Sequence, residues 1–163
     1  MIELKPITEK DLLYVIEVYD YYILNSTATF HTDPITIDEL KTFFPVGSEK
    51  YPSFLIYFND EVCGYCYINR YKPRAAYNRT AEIVIYLQEG YQGKGIGYYV
   101  LGKLETLALQ IGFKVLLAGI TSENIGSIAT FEKLGYEKCA HLKQVGEKFG
   151  RILDVVLYQK IIK

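Results

Sequence analysis

The segment Gln92-Gly93-Lys94-Gly95-Ile96-Gly97 places three glycines within six residues. Glycines let the backbone come close to a ligand. The amides they leave open, with the first turn of a following helix, attract an anion. A phosphate or pyrophosphate is the chemistry this turn fits, and a plain flexible turn is the alternative. A Walker A loop needs Gly-Lys followed by Ser or Thr, but Gly93-Lys94 is followed by Gly95. A dinucleotide fingerprint needs G-x-G-x-x-G and an acid about 20 positions on. Here the spacing is G-x-G-x-G, and Val115 to Gly119 carries no acid.

The second candidate is Glu82. Arg79 to Leu87 reads as a strand with Glu82, Val84 and Tyr86 on one face and Ile83, Ile85 and Leu87 on the other. A carboxylate in so apolar a strand loses solvation, which raises its pKa and makes it a better base. Pairing with Arg79 or Lys72 is the alternative. Cys63-Gly64-Tyr65-Cys66 has the C-x-x-C form, but in a strand residues three apart face opposite sides, so the sulfurs are expected to diverge. His31 and His141 are lone histidines, and no metal site is expected.

The elements that must position these residues follow from periodicity. Ile2 to Pro6 reads as a strand. Thr8 to Asp11 resembles a capping box ahead of a helix with Leu12, Leu13, Ile16, Tyr19 and Ile23 at helical spacing. Thr36 to Phe44 is a shorter helix ending before Pro45. Ser53 to Phe58 and Val62 to Tyr71 form a hairpin around Asn59-Asp60. Gly95 to Ile111 is the strongest helix, with Ile96, Val100, Leu101, Leu104, Leu107, Ala108 and Ile111 on one face and Gly112 as its stop. Val115 to Ile120 is apolar enough for a central strand. Asn124 to Leu134 is a helix closed by Gly135. Tyr136 to Val145 and Arg151 to Ile161 make a last hairpin around Gly146 and Gly150. Alternating strands and helices predict an α/β layered sheet.

The chain has 163 residues, 18 basic against 19 acidic, with a formal net charge of −1. That balance gives no electrostatic reason to expect a nucleic-acid or membrane partner. No run approaches the ~18 apolar residues of a membrane span. Met1 to Asp11 lacks a signal-peptide core. Three cysteines are too few for a disulfide scaffold, so a reduced, cytoplasmic setting is expected. Tyrosine is over-used, 16 against 8 Phe and no Trp, which fits either compositional drift or a site lined with hydroxyls.

Gln92-Gly93-Lys94-Gly95-Ile96-Gly97 resembles the Q/R-x-x-G-x-G/A signature of the GNAT N-acetyltransferase superfamily. Asn124, Ser127, Phe131, Lys133, Gly135 and Tyr136 resemble its second element, N-x-x-S/A followed by K-x-G-F/Y. Tyr21-Tyr22, Thr27-Ala28-Thr29-Phe30 and Lys72-Pro73-Arg74-Ala75-Ala76-Tyr77 are similar to the phosphinothricin acetyltransferase-like branch. So are Thr80-Ala81-Glu82 with Tyr86, and Lys148-Phe149-Gly150-Arg151 with Leu153-Asp154. Members of that branch acetylate phosphinothricin, methionine sulfoximine or methionine sulfone.

The resemblance implies one GNAT domain over residues 1–163, with a mixed sheet of about six to seven strands and about four helices. It implies acetyl-CoA as cosubstrate, held by Gln92, Gly93, Lys94, Gly95, Ile96 and Gly97, and by Asn124, Ser127, Phe131 and Lys133. Backbone amides around Ile83, Val84 and Ile85, freed by a bulge, would meet the developing oxyanion. Glu82 becomes the general base for an ammonium, directly or through a water. Phe30, Lys72, Arg74 and Tyr77 would meet an amino-acid-like acceptor, since Arg pairs carboxylate or phosphinate bidentately. A solvated basic loop is the alternative. Where the superfamily has Tyr and the branch His to protonate the leaving thiolate, this chain has Phe131, which has no proton to give. Asn124 can equally cap its helix. A homodimer is implied, with the last hairpin as its interface. Two rivals stand: a peptide N-terminal or polyamine acetyltransferase, with an open groove around Arg74, and an acyl-CoA-binding sensor that has lost catalysis.

Overall fold

The computed structural model describes all residues from Met1 to Lys163. Its strands are β1 (Ile2–Pro6), β2 (Ser53–Phe58), β3 (Glu61–Arg70), β4 (Thr80–Leu87), β5 (Val115–Thr121), β6 (Glu137–Lys148) and β7 (Arg151–Ile161). Its α-helices are α1 (Leu12–Asn25), α2 (Ile37–Lys41), α3 (Ile96–Ile111) and α4 (Ile125–Lys133). One mixed sheet runs β1-β2-β3-β4-β5-β7-β6. Every neighbouring pair is antiparallel except β4 and β5. Asn59 and Asp60, at φ 50° and 69°, make the tight β2–β3 reversal.

Helices cover both faces. Ile96, Val100, Leu101, Leu104 and Ala108 of α3 pack with Ile83, Leu116 and Phe131 in one core. Leu12, Val15, Tyr19 and Ile23 of α1 pack with Leu40, Tyr65 and Tyr67 in the other. Gly112 ends α3 at φ 118°, a backbone that favours glycine. No helix is long and apolar enough to cross a membrane.

Several expectations are corrected. Leu13 is 69% exposed, because the core stripe of α1 runs through Leu12, Val15, Tyr19 and Ile23 and turns Leu13 outward. The second helix spans only Ile37–Lys41, capped by Thr36. Gly146 is not in the last turn but inside β6, opposite Leu153. Phe149 and Gly150 make that turn, both at positive φ. Cys63 and Cys66 do not face opposite cores: both are fully buried in the α3-side core. The β2–β3 register skips from Tyr57↔Val62 to Ile56↔Gly64. Cys63 is therefore an extra, bulged residue, and its insertion inverts the alternation. Burial pushes the Cys63 thiol up to about 11, so it is an inert core group.

Candidate active site

β4 and β5 pair over only three rungs, Thr80↔Val115, Ala81↔Leu116 and Glu82↔Leu117. Beyond them the strands diverge. β4 continues along β3, from Asn69↔Glu82 to Gly64↔Leu87, and β5 continues along β7 to Thr121↔Val155. A fork opens between two parallel strands, and Glu82 sits at its crotch. Adjacent parallel carboxyl ends with diverging neighbours are where α/β sheets hold ligands.

The divergence overturns one expectation. The β3–β4 register is continuous, so no bulge interrupts Ile83–Ile85 against β3. Along Ile83–Ile85 the alternate backbone groups that point away from β3 have no strand to pair with, because the fork has already opened on the β5 side.

Glu82 is half-buried and forms none of the four salt bridges, so the pairing with Arg79 or Lys72 is absent. Loss of solvation holds its carboxyl above the usual glutamate range. Its strand neighbours Val84 and Tyr86 pack into the α1-side core, while Ile83, Ile85 and Leu87 pack toward α3. The predicted alternation holds, and Glu82 belongs to the α1 face.

That face gathers part of the tyrosine excess. Tyr19, Tyr22, Tyr65, Tyr67 and Tyr86 cluster there, with Tyr19 5.6 Å and Tyr65 5.5 Å from Tyr86 between ring centroids. The Tyr19 hydroxyl bonds Thr29 Oγ1 at 2.6 Å and His31 Nδ1 at 2.5 Å. Tyr19 and Tyr67 carry no motif and only the excess of tyrosine signalled them; Thr29 lay in the Thr27-Ala28-Thr29-Phe30 resemblance without a role, and His31 read as a lone histidine.

The glycine-rich turn and the start of α4 both lie at the open end of the fork, one after β4 and one after β5. Gly93 and Gly95 adopt φ 76° and 80°, with open space where a Cβ would be. Gly95 caps α3 without a side-chain hydrogen bond, so the first-turn amides of α3 are left for an anion. Lys94 is exposed beside them, and Gly97 half-buried. Ile96 is a core residue, 1% exposed. The Gln92 side chain braces the turn: Nε2 donates to the Tyr22 hydroxyl at 2.8 Å, and Oε1 accepts from Gly90 N at 3.0 Å. Asn124 caps α4, its Oδ1 accepting from Ser127 N at 3.3 Å. Phe131 is buried edge-on to Tyr136 at 5.0 Å. Exposed Lys133 places Nζ 4.7 Å from the Tyr98 ring centroid.

The expected acceptor residues fall into two places. Lys72, Arg74 and Tyr77 lie together on the β3–β4 loop. Lys72 Nζ is 5.7 Å and Arg74 Cζ 5.6 Å from the Tyr77 ring centroid, and neither cation is ion-paired. Phe30 instead covers Gly146 on β6, in space that a side chain there would fill. The fork can hold a long ligand whose anionic end meets the glycine turn and whose other end reaches Glu82. Five residues of strand separate Glu82 from Leu87, about 17 Å at roughly 3.3 Å each.

Known proteins resemble this chain in sequence and fold. The acetyltransferase (GNAT) domain family matches residues 4–157. An L-methionine sulfoximine/L-methionine sulfone acetyltransferase of Pseudomonas aeruginosa is 31% identical over 153 residues, 91% of this chain and 88% of that protein. The structure of a GNAT superfamily phosphinothricin acetyltransferase from Sinorhizobium meliloti, in complex with acetyl-CoA, superposes with a TM-score of 0.90 at 30% identity, covering 99% of this chain and 88% of that one. A ribosomal-protein-alanine N-acetyltransferase from Brucella melitensis superposes with a TM-score of 0.86 at 28% identity, covering 98% and 99%.

Proposed function

The chain belongs to the GNAT acetyltransferases, and from that premise we propose that it moves the acetyl group of acetyl-CoA to the primary amine of a small amino-acid-like acceptor, with Glu82 as general base. The phosphinothricin and methionine sulfone type of acceptor is the one named for the Pseudomonas and Sinorhizobium relatives. The observation that carries the reading is Glu82 itself: an unpaired, desolvated carboxylate at the crotch of a fork whose open end carries the glycine-rich turn.

Acetyl-CoA supplies an activated acyl group and a thiolate leaving group. The residues at hand do the rest. Amides of the Gly93–Gly97 turn and the α3 N-terminus meet the pyrophosphate. Unpaired amides on the β5 side of Ile83–Ile85 donate to the carbonyl oxygen as it gains charge. Glu82 takes the ammonium proton, directly or through one water, so that the nitrogen lone pair is free to attack. Lys72 and Arg74 hold the acceptor's acid group, with Tyr77 and Phe30 against its body. Phe131 leaves the departing thiolate to be protonated by water. The chain works as a cytoplasmic homodimer through the β6–β7 hairpin. In support, β6 is a sheet edge, and Leu142, Val145, Phe149 and Ile152 on the hairpin are 42–57% exposed.

A second reading, acetylation of a peptide N-terminus, has one observation in its favour: Lys72 and Arg74 are both exposed on an open loop. Free CoA thiol release from acetyl-CoA separates the two. The panel is methionine sulfone, methionine sulfoximine, phosphinothricin, polyamines and short peptides. Release with the sulfone-type amino acids, lost in Arg74→Ala, is expected. Release with peptides alone would replace the first reading by the second, and binding of acetyl-CoA without turnover of any amine would leave a sensor.

A further inference from the structure

Lys148, the last residue of β6, is 3% exposed and has no carboxylate partner. Its ammonium instead donates to three backbone carbonyls: Ser26 at 2.6 Å, Thr29 at 2.8 Å and Tyr22 at 3.4 Å. Three donors meet three acceptors, so the buried charge is fully hydrogen-bonded. Tyr22 lies in the last turn of α1, where the helix dipole also favours a cation. A buried lysine spent on carbonyls alone is costly, and what it holds is one short loop, Ser26–Phe30.

That loop spans the open fork. The Tyr86 hydroxyl of β4 donates to Ala28 O at 3.4 Å, and the Thr121 hydroxyl of β5 donates to Thr27 O at 2.5 Å. Tyr86 and Thr121 are each four residues beyond the last rung, Glu82↔Leu117. The loop therefore ties the two strands together at equal distance past the point where they part. Tyr86 is on the Glu82 face of β4, so the loop bounds the side from which Glu82 works. From the other side the β6–β7 hairpin fastens it. Glu123 accepts from the Thr27 hydroxyl at 2.5 Å and from both terminal guanidinium nitrogens of Arg151 at 2.9 Å.

We propose that Lys148 is a positioning residue of the acetyl-transfer reaction: its buried ammonium fixes the Ser26–Phe30 loop as the end wall of the β4/β5 fork on Glu82's side, and so sets where the acceptor amine sits. Lys148 touches neither reactant. It acts through the loop; the glycine turn is braced by Gln92 on the Tyr22 hydroxyl, whereas Lys148 takes only the Tyr22 main-chain carbonyl, the longest of its three bonds. The proposal rests on the acetyl-transfer reading for its kinetic consequence but not for its structural one.

The experiment compares wild type, Lys148→Met and Thr121→Val. Thr121→Val removes one tether on β5 without touching the lysine. Three quantities are read: KM for the best amine of the panel, Kd for CoA by calorimetry, and hydrogen exchange of the Ser26–Phe30 amides. The expected result is a rise of about tenfold or more in acceptor KM for Lys148→Met and a smaller rise for Thr121→Val. Loop exchange is faster in both, and CoA Kd stays within about twofold. A general loss of folded protein would move CoA Kd and acceptor KM together, and that parallel loss overturns the proposal. Unchanged acceptor KM in Thr121→Val despite faster loop exchange also overturns it. If Lys148→Met does not fold, Thr121→Val decides. If wild type acetylates no amine, the acceptor reading fails on its own. Exchange with and without CoA then decides for Lys148: slow exchange in the variants overturns its hold on the loop.

Discussion

A β-carbon added to Gly64 would overlap the carbonyl oxygen of Tyr86 and come to 3.0 Å from Leu87 Cα. The bare backbone of β3 lets the end of β4 close onto it, and Gln88 N reaches Cys63 O at 2.8 Å. β4 thereby stays with β3 as it leaves β5. Gly64→Ala is expected to cost about 1–3 kcal/mol, the usual penalty of forcing bulk into packed backbone, measured by urea unfolding. It should also weaken acetyl-CoA binding, because the displaced strand leads directly into the glycine turn.

Glu82→Gln should lower kcat roughly 100- to 10,000-fold, the usual range for a positioned base, with CoA affinity unchanged by calorimetry. The acidic limb of the wild-type kcat/KM profile should lie above the ordinary glutamate value of 4.5, because burial raises this carboxyl. The stability consequence has the opposite sign from a salt-bridged acid. Below the unfolded pKa both states are protonated and nothing is lost. As pH rises through the folded pKa, the buried charge destabilises the native state. Glu82→Gln should therefore raise Tm at pH 8 and leave it unchanged at pH 4.

Gly95→Ala tests the anion site without touching the base. Gly95 has open space for a Cβ but a φ of 80°, so the substitution strains the backbone and not the packing. The expected cost is about 1 kcal/mol in stability. CoA should bind several-fold more weakly as the first turn of α3 reorients. Unchanged CoA affinity in titration calorimetry would remove the turn from the site.

Arg151 and then the Thr27 hydroxyl hold the Glu123 carboxyl at about 2. A depressed folded pKa gives stability that is present above the unfolded value of 4.5 and lost as pH falls toward about 2. In a pH titration followed by carboxyl NMR, Glu123 should remain ionised at pH 4. Arg151→Ala should move its midpoint upward toward 4.5.

Most elements were legible in the chain itself. The strand and helix of Thr80–Leu87 and Ile96–Ile111 follow from period-2 and period-3.6 patterning, and the glycine turn between them follows from Gly93 and Gly95. The face of Glu82 followed from alternation, because β4 keeps a continuous register. Alternation failed at Cys63 and Cys66, where one bulged residue inverts the faces; bulges are set by the neighbouring strand's register, which local pattern does not contain. The same limit hid the fork. That pairing between β4 and β5 stops at Leu117 depends on which strands each follows, and this replaced the expected bulge at Ile83–Ile85. Lys148 is marked in the sequence only as part of the Lys148-Phe149-Gly150-Arg151 resemblance, with no role attached, and Gly146 reads as part of the turn. Their meaning comes from Ser26–Phe30, more than a hundred residues away in the chain. Side-chain type and spacing determined which chemistry this protein could carry. Tertiary structure alone decided what lies across the fork from Glu82, because long-range contacts, not local periodicity, bring α1, β5 and the last hairpin to one place.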